Sequence, residues 1–145
     1  MSMVFRYMDT SNPDGTTLKR PAIPVLFFNG DKKYEMPALI DSGADMSAID
    51  SRWANWLNLD MTGCRTRSYG ISGSVETVIS KVGIEVSRGH EDYTLDIPIR
   101  VLVLGEADPY APTLIGRMGF FDQFRITVDE SSQKIVLKNN AESSV

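Results

Sequence analysis

Residues Ala38 to Asp45 read Ala-Leu-Ile-Asp-Ser-Gly-Ala-Asp, an apolar run that ends at a carboxylate followed at once by a hydroxyl, a glycine and a small residue. A carboxylate placed in this way leaves a hydrophobic strand and enters a tight turn. Ser42 can supply a hydroxyl to brace it, and Gly43 lets two backbones approach where no side chain fits. The chemistry open to Asp41 is acid–base hydrolysis, in which two carboxylates share one proton and activate a water. The chain holds one such Asp-Ser-Gly triplet. The second carboxylate must then come from another copy of the chain, so the residues argue for a homodimer.

Bulk properties narrow the remaining classes. At 145 residues there is room for one compact domain with a real core, and too little chain for two lobes that would each carry a carboxylate. Hydrophobic content of 42% is ordinary for a globular protein. No apolar run approaches the roughly 18 residues of a membrane helix, so a soluble chain without a membrane partner is expected. Met1 to Thr10 has neither the basic region nor the apolar core of a secretory signal, which predicts a cytoplasmic location. Cys64 is the single cysteine and His90 the single histidine. They exclude an internal disulfide framework, a histidine-based triad and a multi-histidine metal site, and no metal or cofactor is expected. Net charge is −4 and the basic residues are scattered, which argues against nucleic acid as the primary partner.

The elements that must position Asp41 follow from periodicity and turn chemistry. Ile23 to Phe28 and Tyr34 to Ile40 are apolar runs on either side of Asn29-Gly30-Asp31-Lys32, a strong hairpin signal, and this hairpin feeds Asp41 directly. Asp50 is placed to cap a short helix over Arg52 to Leu57, with Trp53, Trp56 and Leu57 sharing one face against the core. Arg65 to Ser87 reads as two extended arms around a glycine-rich tip, Tyr69 to Ser74. Tyr93 to Leu104 alternates as a long strand, in which Pro98 marks an edge or a bulge. Thr113 to Ile115 form a short apolar strand ending at Gly116, and Arg117 to Gln123 a helical turn or short helix. Phe124 to Asp129 and Lys134 to Lys138 close the chain as a hairpin. Upstream, Met3 to Met8 predict a short strand and Asp9 to Lys19 a turn-rich connection. The organisation is an N-terminal strand and extension over 1–19, a main domain over 20–138 and a polar tail over 139–145. Many short strands with one or two short helices make a mostly β, closed barrel-like domain.

Three elements in this order resemble the retroviral-type aspartic proteases, the retropepsins and their cellular relatives. They are Leu39-Ile40-Asp41-Ser42-Gly43-Ala44-Asp45 as the catalytic loop, Tyr69 to Thr77 as a flap hairpin, and Leu114-Ile115-Gly116-Arg117 as the strand behind the loop. The resemblance spans about Arg20 to Lys138 and implies the acid protease fold with its flap. It implies further that Asp41 and its copy in a partner subunit hold the attacking water, with Ser42, Gly43, Ala44 and Arg117 supporting the loops. Gly43, Asp45 and the flap residues Ile71, Ser72 and Gly73 would bind a polypeptide substrate in extended conformation, by hydrogen bonding of the strand-addition kind. Arg117 is placed to pair with Asp45.

Two positions depart from the family pattern. Met118 stands where Asp or Asn often follows Gly-Arg, and Ser42 stands where threonine is usual. Taken alone, Asp41 could equally be the aspartate of an Asx turn. The readings on the table are therefore a homodimeric aspartic endopeptidase, a non-catalytic peptide-binding or dimerisation module on the same fold, and an unrelated small β-barrel that binds a small molecule.

Overall fold

The chain forms twelve strands and one short helix among the residues that the computed structural model describes, 1–70 and 73–141, most of the longer strands drawn together by alternating apolar residues. In chain order they are β1 (Ser2–Arg6), β2 (Met8–Ser11), β3 (Thr17–Arg20), β4 (Ala22–Asn29), β5 (Lys32–Ile40), β6 (Ser47–Asp50) and α1 (Ser51–Trp56). After these come β7 (Arg65–Gly70), β8 (Gly73–Arg88), β9 (Glu91–Leu102), β10 (Leu114–Ile115), β11 (Phe124–Asp129) and β12 (Lys134–Asn139). No helix among the described residues is long and apolar enough to cross a membrane.

Six strands close on themselves in the order β4-β5-β10-β6-β9-β8. The expected hairpin supplies the first pair, with β4 antiparallel to β5 from Ala22↔Leu39 to Asn29↔Lys32. Closure comes where β4 also meets β8, at Leu26↔Glu85, Phe27↔Ile84 and Phe28↔Gly83. Gly83 permits that crossing, because a Cβ there would sit 2.4 Å from the Phe28 ring. Val25, Phe27, Ile84, Ile99, Val101 and Ile115 are sealed in the core, and this continuous apolar burial is the main favourable term holding the ring shut. A second sheet, β1-β12-β11, adds Met3, Phe5, Ile135 and Leu137 to the same core. The expected barrel-like closure and the C-terminal hairpin are both present.

Several expectations require correction. Asp9 to Lys19 is not simply a turn-rich connection: β2 and β3 pair as a separate hairpin, from Met8↔Arg20 to Ser11↔Thr17. Its strands are polar and largely exposed, so they lack the alternation that marks a half-buried strand. The single strand expected over Met3 to Met8 is divided between β1 and β2. β6 was not anticipated, because all four of its residues are buried and two of them, Ser47 and Asp50, are polar. Of the two alternatives for Arg117 to Gln123 the helical turn is the one found: the Phe121 amide donates to the Arg117 carbonyl at 3.0 Å, and Gly119 at φ 81, in the left-handed region, keeps the segment from becoming a helix. At α1, Leu57 is buried and Trp53 stacks on Tyr34 at 4.6 Å, but Trp56 is 46% exposed. Trp53 and Trp56 both meet the Tyr34 ring, at 4.6 and 5.8 Å, but that ring is itself exposed, so Trp56 stays at the rim beside the Lys32 ammonium. Pro98 sits where β9 pairs only with β8, one residue before its ladder to β6 begins at Ile99, in keeping with an edge position.

Asp50 ties the ring to the loop that follows β9. Its wholly buried carboxylate caps α1 by accepting from the Arg52 amide at 2.9 Å, and it takes the Arg52 guanidinium in bidentate fashion at 2.9 and 2.7 Å. The Ala111 amide donates to it at 3.2 Å. Burial pushes the Asp50 carboxyl up, but the hydrogen bonds from Arg52 and Ala111 and the Arg52 charge outweigh it and hold the group below its ordinary value. Asp50→Asn is expected to cost on the order of 3 kcal/mol of unfolding free energy, because the partner charge is left stranded. Since the folded-state value is depressed, this contribution is complete above the unfolded value of about 3.9 and fades as pH falls through the folded value. Urea melts of wild type and variant should therefore differ most near neutrality and converge on acidification; a gap independent of pH would contradict this role for Asp50.

Candidate active site

Asp41 follows immediately on β5, and its position is set by the strand laid beside it. β10 runs parallel to the end of β5, with Leu114↔Leu39 and Ile115↔Ile40, and its other edge meets β6 at Leu114↔Ala48. The Asp41 amide donates to the Ile115 carbonyl at 2.9 Å, so the last hydrogen bond of this ladder falls on Asp41 itself. Beyond it, the Arg117 amide donates to the Ala44 carbonyl at 2.9 Å and the Met118 amide to the Asp45 carbonyl at 2.8 Å. The loop from Asp41 to Asp45 is thus stitched along residues 115–118 at three backbone positions.

Within the loop, the Gly43 amide donates to the Asp41 carboxylate at 2.9 Å and the Ala44 amide to the Asp41 carbonyl at 3.2 Å. This is an Asx turn, and it orients the carboxylate. Asp41 is half-buried, Ala44 intermediate, and Ser42, Gly43 and Asp45 are exposed, so the face that carries them is open. Among the described residues, the Ser42 hydroxyl has no hydrogen-bond partner within the chain. Within one chain, the tight neighbour of Gly43 is the Asp41 carboxylate, 3.2 Å from where a Cβ would stand. The close backbone approach is at Gly116. A Cβ there would lie 2.5 Å from the Met46 carbonyl carbon, 2.6 Å from its oxygen and 2.8 Å from the Ala44 oxygen.

Arg117 does reach Asp45, at 3.6 Å, but both side chains are well exposed and the contact is an open ion pair of small energetic weight. Arg100 of β9 approaches the other Asp45 oxygen at 3.9 Å, a contact without a signal in the sequence. Ser47 was also missed. It is fully buried, and its hydroxyl accepts from the Gly116 amide at 3.0 Å, fixing β10 from the side opposite the loop. A buried serine in Met46-Ser47-Ala48-Ile49 has no local feature to distinguish it.

β7 and β8 form the expected glycine-flanked hairpin, paired from Arg65↔Val78 to Gly70↔Gly73. Thr66 and Thr77 share a hydroxyl hydrogen bond of 2.8 Å, and Arg65 pairs with Glu76 at 2.7 Å. Gly73 stands at φ 125 with open space around it. Ile71 and Ser72, the expected tip, lie outside the described residues. Among the described residues, no group of three or more His, Cys, Asp or Glu gathers as a metal site.

The sequence matches the aspartyl protease family over residues 23–105, more than half of the chain and including both the Asp41 loop and the β7–β8 hairpin. Among solved structures, a retropepsin-like aspartic protease from Rickettsia conorii superposes with a TM-score of 0.54 at 20% identity, over 94% of this chain and 92% of that one. This is a likeness of fold, and it places the ring-like sheet with the retropepsin fold. The EIAV protease complexed with the inhibitor HBY-793 aligns over 74% of this chain and 88% of its own at 25% identity, with a TM-score of 0.44. No curated protein matches significantly.

The two glycines of the site should respond differently to alanine. Gly116→Ala drives a methyl into backbone atoms of Met46 and Ala44, and is expected to cost at least about 1–3 kcal/mol. Gly43→Ala meets only a side-chain oxygen that can shift, and should cost about 0.5 kcal/mol or less. Denaturant midpoints of the two variants test this; equal midpoints would mean that the clamp at Gly116 does not hold the loop.

Proposed function

The chain belongs to the aspartyl protease family, and from that premise we propose that it acts as a homodimeric endopeptidase in which Asp41 of each copy contributes one of two catalytic carboxylates. The observation that carries this reading is the Asp41 loop itself: a carboxylate pinned through its own amide to Ile115, oriented by the Gly43 amide and presented on an open face. With one Asp-Ser-Gly in the sequence, the second carboxylate is supplied by symmetry.

In the dimer, the unprotonated Asp41 takes a proton from a water held between the two carboxylates, and that water attacks the scissile carbonyl carbon. The protonated Asp41 of the other subunit donates to the carbonyl oxygen as the tetrahedral intermediate forms. On collapse, the C–N bond breaks, the leaving nitrogen gains a proton and the carbonyl is restored as a carboxylic acid. The exposed Ser42 hydroxyl is available to brace the two loops across the dimer axis. Ala44 and Arg117 hold the loop from behind through the amide-to-carbonyl bond between them. Gly43, Asp45 and the hairpin residues Ile71, Ser72 and Gly73 bind the extended polypeptide through its backbone.

Asp41→Asn keeps the shape and removes the base from both subunits. Cleavage of an unstructured polypeptide should fall by a factor on the order of 10² to 10⁴ or more, while folding and dimerisation persist. Wild-type activity should rise and then fall with pH, because only the singly protonated pair is competent, and the two limbs belong to the pair. Unchanged cleavage by the Asp41→Asn protein would overturn the assignment. A dimer that binds peptides and never cuts them would point to a binding module instead.

A further inference from the structure

β5 is paired along one edge and open along most of the other. Its even-numbered residues turn their backbone groups toward β4, as the Ile40 amide does in donating to the Pro21 carbonyl at 2.9 Å. The odd-numbered residues turn theirs away, and there the Leu39 amide meets the Thr113 carbonyl at 2.9 Å. β10 pairs only with Leu39 and Ile40, so it stops short of Lys33, Glu35 and Pro37. The outward amides and carbonyls of Lys33 and Glu35 have no hydrogen-bond partner among the described residues. Pro37 stands opposite Pro24 in a pair that exchanges no hydrogen bond, so its missing N–H falls on the open edge and closes that end of it.

A cleft of about 470 Å³ follows this edge. Its lining takes Met36 from the core face of β5 and Glu35 and Pro37 from the exposed face, which places the cleft beside the strand and not on either face. Tyr34, Trp53 and Tyr110 add three aromatic rings. Tyr34 lies seven residues before Asp41, about 23 Å along a strand, so the cleft is remote from the Asp41 loop.

The aromatic cluster already attracts cations at its two ends. The Lys32 ammonium lies 5.3 Å from the Trp56 ring centroid, and the Arg52 guanidinium, neutralised by Asp50, lies 3.9 Å from that of Tyr110. Between them, Tyr34 and Trp53 stack at 4.6 Å beside Glu35, whose exposed carboxylate has no ion-pair partner among the described residues. Ring faces next to an unpaired carboxylate suit a guanidinium, which stacks on the one and hydrogen-bonds the other. The net charge of −4 favours a basic partner at longer range. We propose that the open edge of β5 binds a basic polypeptide segment as an added strand, with an arginine of that segment lying in the cleft against the Tyr34 and Trp53 rings and beside Glu35. Main-chain hydrogen bonds to Lys33 and Glu35 hold the segment, and the cleft selects its side chain. The site is separate from Asp41 and does not depend on the protease reading.

The test uses the full chain carrying Asp41→Asn, so that no peptide is cut, and a short extended peptide with arginine at its centre. Trp53 and Trp56 are the two tryptophans of the chain and both belong to this cluster, so intrinsic fluorescence reports on the cleft. The fluorescence should change and saturate with peptide, and glutamine in place of the central arginine should weaken binding by about fivefold or more. Glu35→Gln should remove most of that difference. Methylating the peptide's backbone amides one at a time should give an alternating pattern, in which amides facing β5 are needed and those between are not. Lys33→Pro deletes an N–H that the hairpin does not use, and should weaken binding by about threefold or more. Because that variant also removes a positive charge, a loss of affinity for a basic peptide reads the missing N–H. A leucine peptide that binds as tightly as the arginine peptide, or an arginine preference that survives Glu35→Gln, would overturn the charged cleft. Binding without alternation and insensitive to Lys33→Pro would overturn the added strand. If no peptide changes the fluorescence and Lys33→Pro instead alters how the chain sediments, the edge joins two copies and the proposal fails.

Discussion

No side chain fits at Gly116. The backbone there passes so close to the Met46 and Ala44 carbonyls that a single methyl would overlap both, and the position of Asp41 depends on that passage. β10 is only two residues long, yet it fills the gap between β5 and β6 and completes the ring. It also offers the Ile115 carbonyl that holds the Asp41 amide. A strand so short cannot secure itself, since two residues of ladder recover little of the entropy of ordering them. It is held by its neighbours on both edges, by the buried Ser47 hydroxyl that takes the Gly116 amide, and by the apolar core around Ile115. A carboxylate supported in this way is set by the barrel as a whole and not by its own turn.

The same logic extends outward. Asp50, four residues beyond Met46, is a buried charge that the fold retains because every hydrogen bond it needs is supplied, by the α1 amide, the Arg52 guanidinium and the Ala111 amide. Arg52 in turn fixes the carbonyls of the 106–109 segment, and so the loop that precedes β10. One chain of contacts therefore runs from the helix cap, through the loop after β9, to β10, whose Ile115 carbonyl accepts from the Asp41 amide. The salt bridges near the Asp41 loop, Asp45 with Arg117 and Arg100, are long and exposed by comparison. They add field more than rigidity.

Legibility in the sequence followed the local physics of each element. The Asn29-Gly30 hairpin, the Leu39-Ile40-Asp41 exit, the two arms of β7 and β8 and the Leu114-Ile115-Gly116 strand all carry apolar alternation or turn chemistry within a few residues. Each of them is present where those residues place it. β6 escaped because its buried polar residues, Ser47 and Asp50, are satisfied by partners some 60 residues or more away, Gly116 and Ala111, which no local pattern can reveal. The β2–β3 hairpin escaped because its strands are mostly polar and largely exposed and it is held through Arg20. The exposure of Trp56 was not legible because the partner of its face, Tyr34, lies at the rim and is itself exposed.

If each chain supplies one carboxylate, catalysis exists only in the dimer, and activity per chain must fall on dilution. The direct measurement is the initial rate of peptide cleavage against protein concentration, with the oligomeric state followed by sedimentation over the same range. The rate should climb with the square of concentration where the chain is mostly monomer, and linearly once it is mostly dimer. A rate that stays linear in protein through the range where the chain sediments as a monomer would contradict a site shared between two copies of Asp41.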